Sequence, residues 1–224
     1  AWPTSAQFVL RITAMLLINS LVARFYSTET DQTATTAMGL VFRVDSVALF
    51  VAMGWGGAAQ TFVGQNLGAG KLDRASRAGL LAAAYDAAMN LAFLALLSVH
   101  AERVLRFFGK DDAPVAIGLE YLHIVAPSYV GLGVGIVLGN AMAGARAAKL
   151  AFRIDLGVLV GFQLPVCLAG VLLVHMRLNA LFGCVTATAF AGALVYGAIY
   201  ARRKWLTVAP EPAPRETAAA PASG

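Results

Sequence analysis

Residues 61–75 read TFVGQNLGAGKLDRA, a polar, glycine-rich stretch between two long apolar runs. Its reading decides the fold, because a phosphate-cradling loop belongs to a soluble nucleotide-binding domain and a helix exit belongs to a membrane bundle. A G-x-x-x-x-G-K-[ST] loop requires a glycine five positions before Gly70, where Gln65 stands, and a hydroxyl after Lys71, where Leu72 stands. A G-x-G-x-x-G dinucleotide turn lacks its third glycine here and has no strand before it. The helix exit remains: Gly64, Gly68 and Gly70 permit positive φ and close backbone approach, and Lys71, Arg74 and Arg77 face anionic lipid. Asp73 falls at the start of the next helix, where negative charge is favourable.

Composition supports the membrane reading. The chain is 59% hydrophobic and 13% charged, with a mean hydropathy of +0.71, far from the balance of soluble domains. One large soluble core would need more polar surface than 17 basic and 12 acidic side chains supply for 224 residues. Cys167 and Cys184 lie in apolar runs and are too few for a disulfide framework or metal cluster, so they are read as buried free thiols. The N-terminus has no basic region ahead of a short apolar core and no cleavage site, so no signal peptide is expected. It also lacks an initiator Met, which suggests a start inside a longer protein.

About 20 apolar residues span a bilayer core as a helix. Six such spans are expected, at residues 4–25, 36–62, 76–99, 115–142, 152–175 and 180–201, giving an all-α, six-helix transmembrane domain over residues 1–205. Residues 206–224, rich in Pro and Ala, read as a disordered cytoplasmic tail. Lys71, Arg74, Arg77, Arg146, Lys149, Arg153, Arg202, Arg203 and Lys204 fall on one side of the membrane, against Arg24, Arg103, Arg106, Lys110 and Arg177 on the other. Nine against five places both termini in the cytoplasm of a cell bounded by an inner membrane. Basic residues gathered at span ends serve topology, and nucleic acid is not an expected partner. No paired acid, His-rich cluster or activated Ser stands at useful spacing, so an enzyme is not expected, nor a cofactor or metal site.

GWGGAAQTFVGQNLGAGKLDRASRAG, residues 54–79, resembles the signature that closes the second helix of a lobe in multidrug and toxic compound extrusion (MATE) transporters. The resemblance runs in register over about residues 3–175, through Pro3, AMGLVFRVDSVALFVAMGWG, YLHIVAPSYVGLGVGIVLGNAMAGA and QLPV. It makes Gly64, Gln65, Asn66, Gly68 and Gly70 a structural hinge. It implies the C-terminal six-helix lobe of a two-lobe transporter whose N-terminal lobe is a missing partner. The implied activity is efflux of cationic small molecules in exchange for H⁺ or Na⁺. Several relatives carry a cation-binding Glu in the first helix of this lobe and an Asp in the fourth; here Arg11 stands near the former position and the fourth span has no Asp. Alternatives are a lipid-linked glycan flippase of the wider superfamily, which Arg11 and Arg43 keep open, and a truncated lobe inactive alone.

Ionisable residues within spans cost roughly 2.5–3.5 kcal/mol each and call for a partner or a function. Asp86, central in the third span, and Asn90 one turn on are either a protonatable patch on the cavity or an interhelical hydrogen bond. Asp45 is expected to meet a cation from another helix, with Arg11 available, either as a structural pair or as part of ion coupling. Glu120 and His123, at i and i+3, are read as a solvated pair or a proton relay. Asp155 and Arg153 are read as an interfacial anchor. Gly131, Gly135 and Gly139 recur at four-residue spacing for close helix packing, with Pro127 as a bending point. Asn140 is a candidate for the solute pathway, and Phe8, Tyr85 and Tyr129 are candidate platforms for a flat cation.

Overall fold

The chain is described by a computed structural model covering residues 2–28 and 31–206, with side chains from residue 5 onward. Pro3 lies in the first helical turn, its side chain outside this description; residues 207–224, the bulk of the expected tail, lie outside it entirely. The described residues form helices and turns: α1 (Trp2–Phe25), α2 (Thr33–Gly68), α3 (Leu72–Phe108), α4 (Asp112–Val125), α5 (Ser128–Gly144), α6 (Ala148–Asp155), a π-helical segment (Leu156–Gln163), α7 (Leu164–Leu173) and α8 (Leu178–Ala201). Five stretches are long and apolar enough to cross a membrane, with α6, the π segment and α7 counted as one. The α4–α5 pair makes a sixth, bent by 58°.

The stretch that decides the fold is more helical than expected. Gly64 and Gly68 are both inside α2, and only Gly70 takes a positive φ, of 70°. Two bonds close the helix behind it: Gly70 N–H donates to Leu67 O at 3.0 Å, and Lys71 N–H to Asn66 O at 2.8 Å. This is the Schellman arrangement, in which a left-handed residue turns the chain back onto the last free carbonyls. The α5 end repeats it with Arg146 at φ 62°, Arg146 N–H on Ala143 O and Ala147 N–H on Met142 O. At the end of α8, Arg203 turns at φ 53°, and Trp205 folds back so that its indole N–H donates to Tyr200 O at 2.9 Å. All three turns lie at one end of the bundle, around a core that includes Val63, Ala75, Met142, Ala151, Tyr200 and Trp205.

Alanines and glycines let the helices meet closely. A Cβ on Gly144 would collide with the Gln60 carbonyl of α2, so the α2–α5 contact requires a glycine there. Gly131, Gly135 and Gly139 face α8, meeting Ala189, Phe190 and Tyr196, which is the packing use their spacing predicts. The opposite end is filled by a second core with Val41, Leu105, Leu122 and Phe182 and a third with Val22, Cys167 and Leu181. Cys167 is buried and Cys184 half-buried, both as free thiols. The π turns run up to Pro165, whose missing N–H interrupts the ordinary ladder; Leu164 N–H reaches back five residues to Leu159 O.

Candidate functional site

Among the described residues, three groups of buried and partly buried polar side chains stand inside this apolar frame. The first joins α1 to α6 and α8. Asp155, at the end of α6, receives Arg11 Nε on Oδ2 at 2.7 Å and an Arg11 terminal nitrogen on Oδ1 at 2.8 Å, a bidentate ion pair. Gln7 Nε2 donates to Oδ2 at 2.7 Å, and the Tyr196 hydroxyl donates to Oδ1 at 2.7 Å. The Asp155 side chain keeps 5% of its surface exposed and Arg11 20%. Both expectations for these residues are corrected. Arg11 pairs with Asp155 and not with Asp45, and Asp155 is a core group while Arg153 alone is exposed. Two residues advance a helix by roughly 200°, so neighbours of similar polarity face opposite ways.

The second group holds the bend. Asp45 of α2 accepts the Tyr121 hydroxyl of α4 on Oδ2 at 2.6 Å and the Tyr129 hydroxyl of α5 on Oδ1. Tyr121 and Tyr129 lie on either side of Pro127, so one carboxylate ties both limbs of the 58° break to α2. Tyr129 is buried and stacks on Phe93, which takes it out of the set of available platforms. The third group is Asp86 with Asn90 on α3, both fully buried against α5; Asn90 Nδ2 donates to Asp86 Oδ1 at 3.0 Å.

A cavity of about 420 Å³ opens where α1, α2 and α5 meet, lined by Ser5, Gln7, Phe8, Arg11, Met53 and Asn140. It gathers Arg11 and Asn140 from the expected pathway residues, while Asp45, Asp86 and Asn90 are outside its lining. Asn140 stays within its own helix, bonding Ile136 O at 3.0 Å, and fills the space above Gly56. Gln7 was not singled out from the sequence; a lone Gln near a chain start carries no pattern, and its role comes from reaching Asp155 148 residues away. Arg43 lies elsewhere, with its guanidinium 5.4 Å from the Phe108 ring. Glu120 and His123 are exposed, and His123 Nδ1 sits 2.8 Å from Leu119 O. Tyr85 stacks on Trp55 with ring centroids 5.1 Å apart. Of the glycine-rich signature, Asn66 bonds Phe62 O at 2.8 Å and Gln65 is exposed, and neither lines the cavity.

Among known proteins, a MATE protein solved in complex with MaL6 superposes with a TM-score of 0.80 at 15% identity, over 90% of this chain and 45% of its own. A protein of Shewanella oneidensis (strain MR-1) named FAD transporter is 27% identical over 172 residues, 75% of this chain and 38% of that protein. The chain thus spans less than half the length of these relatives. The MatE family model matches residues 3–169, and the chain belongs to the MATE family of membrane transporters.

Proposed function

We propose that this chain forms the C-terminal lobe of a secondary active transporter that extrudes organic cations in exchange for H⁺ or Na⁺ by alternating access. The solute is held between this lobe and an N-terminal one, and the helices shift as rigid groups. The observation that carries the reading is the cavity between α1, α2 and α5, whose polar groups Gln7, Arg11 and Asn140 stand beside the exposed Phe8 and Met53. Arg11 is neutralised by Asp155, so this wall presents an aromatic ring, a thioether and amides without an opposing free positive charge. The nine Lys and Arg at the end that carries the three helix-closing turns support a cytoplasmic placement of that end in the inner membrane.

Arg11 also supports a second reading. It keeps a fifth of its side-chain surface open, and a guanidinium beside an aromatic ring suits a flat, anionic solute of the kind named for the Shewanella relative. Arg43 stands outside this cavity, which removes one of the two cations that would favour a lipid-linked glycan as cargo. Inverted membrane vesicles carrying the whole transporter provide the test. Gradient-dependent uptake of a fluorescent cationic dye, with FAD as competitor, is the expected result. Uptake of FAD alone selects the second reading, and no uptake across a broad panel of solutes overturns both. The 224-residue chain by itself is expected not to transport.

A further inference from the structure

Among the described residues, Asp86 differs from the other acids held inside the lobe, Asp45 and Asp155. Asn90 Nδ2 reaches its Oδ1 at 3.0 Å and its main-chain oxygen at 3.2 Å. Asp86 Oδ2 and Asn90 Oδ1 are buried with no hydrogen-bond partner among the described residues. Gly133 of α5 lies directly against them: a Cβ there would overlap Oδ2 and come within 2.9 Å of Asn90 Nδ2. The carboxyl and the amide therefore occupy the space in which an α5 side chain would otherwise lie.

No described residue forms an ion pair with Asp86. The ion pairs among the described residues engage Asp155, Glu102, Asp112 and Asp73. On the surrounding helices, Asp45 of α2 is bonded to Tyr121 of α4 and Tyr129 of α5, and Tyr196 of α8 to Asp155. On α3 itself, Tyr85 is stacked on Trp55. A buried carboxylate with an oxygen that receives no hydrogen bond and no cation beside it is costly, and the cost is removed by binding a cation or by admitting water. Hard metal cations gather several oxygens, typically six or more for the divalent ions. One unpartnered carboxylate oxygen, Asp86 Oδ2, meets Gly133 here, and a proton needs only one.

We propose that Asp86 is a proton-binding site whose occupancy is tied to the contact between α3 and α5. A proton taken from water forms an O–H bond on Oδ2 and lets Gly133 seat against the neutral carboxyl, as in this closed arrangement. When the proton returns to water, the carboxylate recruits solvent and the Gly133 face of α5 moves away from α3. The inference rests on the ion-coupled reading of the lobe; it names the ion as H⁺ and puts its site outside the α1–α2–α5 cavity.

Infrared difference spectra of the whole transporter in lipid nanodiscs between acid and alkaline pH test the site without any solute. The expected result is a carboxylic-acid band that D86N abolishes and D45N retains, and that G133A moves by about one pH unit or more. A band that persists in D86N, a titration unmoved in G133A, or the same spectral change produced by Na⁺ at fixed pH overturns the proposal. In proteoliposomes of the whole transporter, D86N is expected to lower proton-driven efflux about tenfold or more while sparing gradient-free exchange of labelled for unlabelled solute. Proton-driven efflux intact in D86N sinks the site and leaves the transporter. No transport by the wild type beside an intact Asp86 band sinks the transporter and leaves the site.

Discussion

Asp155 and Asp86 are both carboxylates in the interior of the same lobe, and they are treated in opposite ways. Asp155 accepts hydrogen bonds from Arg11, Gln7 and Tyr196, drawn from two helices other than its own. Asp86 accepts one side-chain bond, from a residue on its own helix, and leaves an oxygen bare. A saturated carboxylate with a bidentate partner is held in one position, so it serves as a joint. An unsaturated one gains from a change of protonation or of packing, so it is the acid with scope to work. Asp45 lies between them, with both oxygens bonded by neutral hydroxyls and no cation.

The comparison breaks most readily at Arg11. R11A strands the Asp155 charge and should lower the free energy of unfolding in mixed micelles by about 3–5 kcal/mol, the usual cost of removing one member of a buried pair. A change near zero there would mean that Asp155 is no joint. Y129F removes one of the two hydroxyls on Asp45 and should cost about 1.5–3 kcal/mol in the same assay, as expected for a hydrogen bond to a charged group. It should also loosen the α4–α5 bend, read as a change in spin-label distance between the two limbs. D86N should move stability by less than about 1 kcal/mol, because little bonding is lost; a loss as large as that of R11A would erase the contrast.

An exposed carboxylate marks the far end of the scale. Asp31 accepts the Thr33 N–H at 3.0 Å ahead of α2, and its hydrogen bonding to Thr33 holds it below its ordinary value of 3.8. A depressed folded value contributes stability that is present above the unfolded value and lost as pH falls through the folded one. Unfolding midpoints should therefore fall slightly between about pH 5 and pH 2 in the wild type, with that component absent in D31N. An identical acid slope in both proteins would remove Asp31 from the account.

Much of the architecture was legible because it follows from local chemistry. Apolar runs of membrane length must close their own backbone bonds, so the helices were readable from hydropathy. The family was readable from GQNLGAG, although the point at which the chain turns was not: Gly64 and Gly68 remain helical, and the turn is made at Gly70. The partners of the buried charges were not legible. Arg11 had Asp45 and Asp155 as possible partners, 34 and 144 residues away in a chain whose helix order says little about rotation. Asp155 reads as an anchor from sequence because Arg153 lies two residues before it, although the helix turns them apart.

The amino-acid sequence by itself determined that the chain spans a membrane as a helical lobe, which end gathers positive charge, and which family it belongs to. These depend on composition, on runs along the chain and on a signature read in order. Only the tertiary structure decided which carboxylate is bonded to saturation and which is left with a bare oxygen. That distinction depends on the rotation of each helix about its axis and on close approach at Gly133 and Gly144, which are set by the packing of several helices at once.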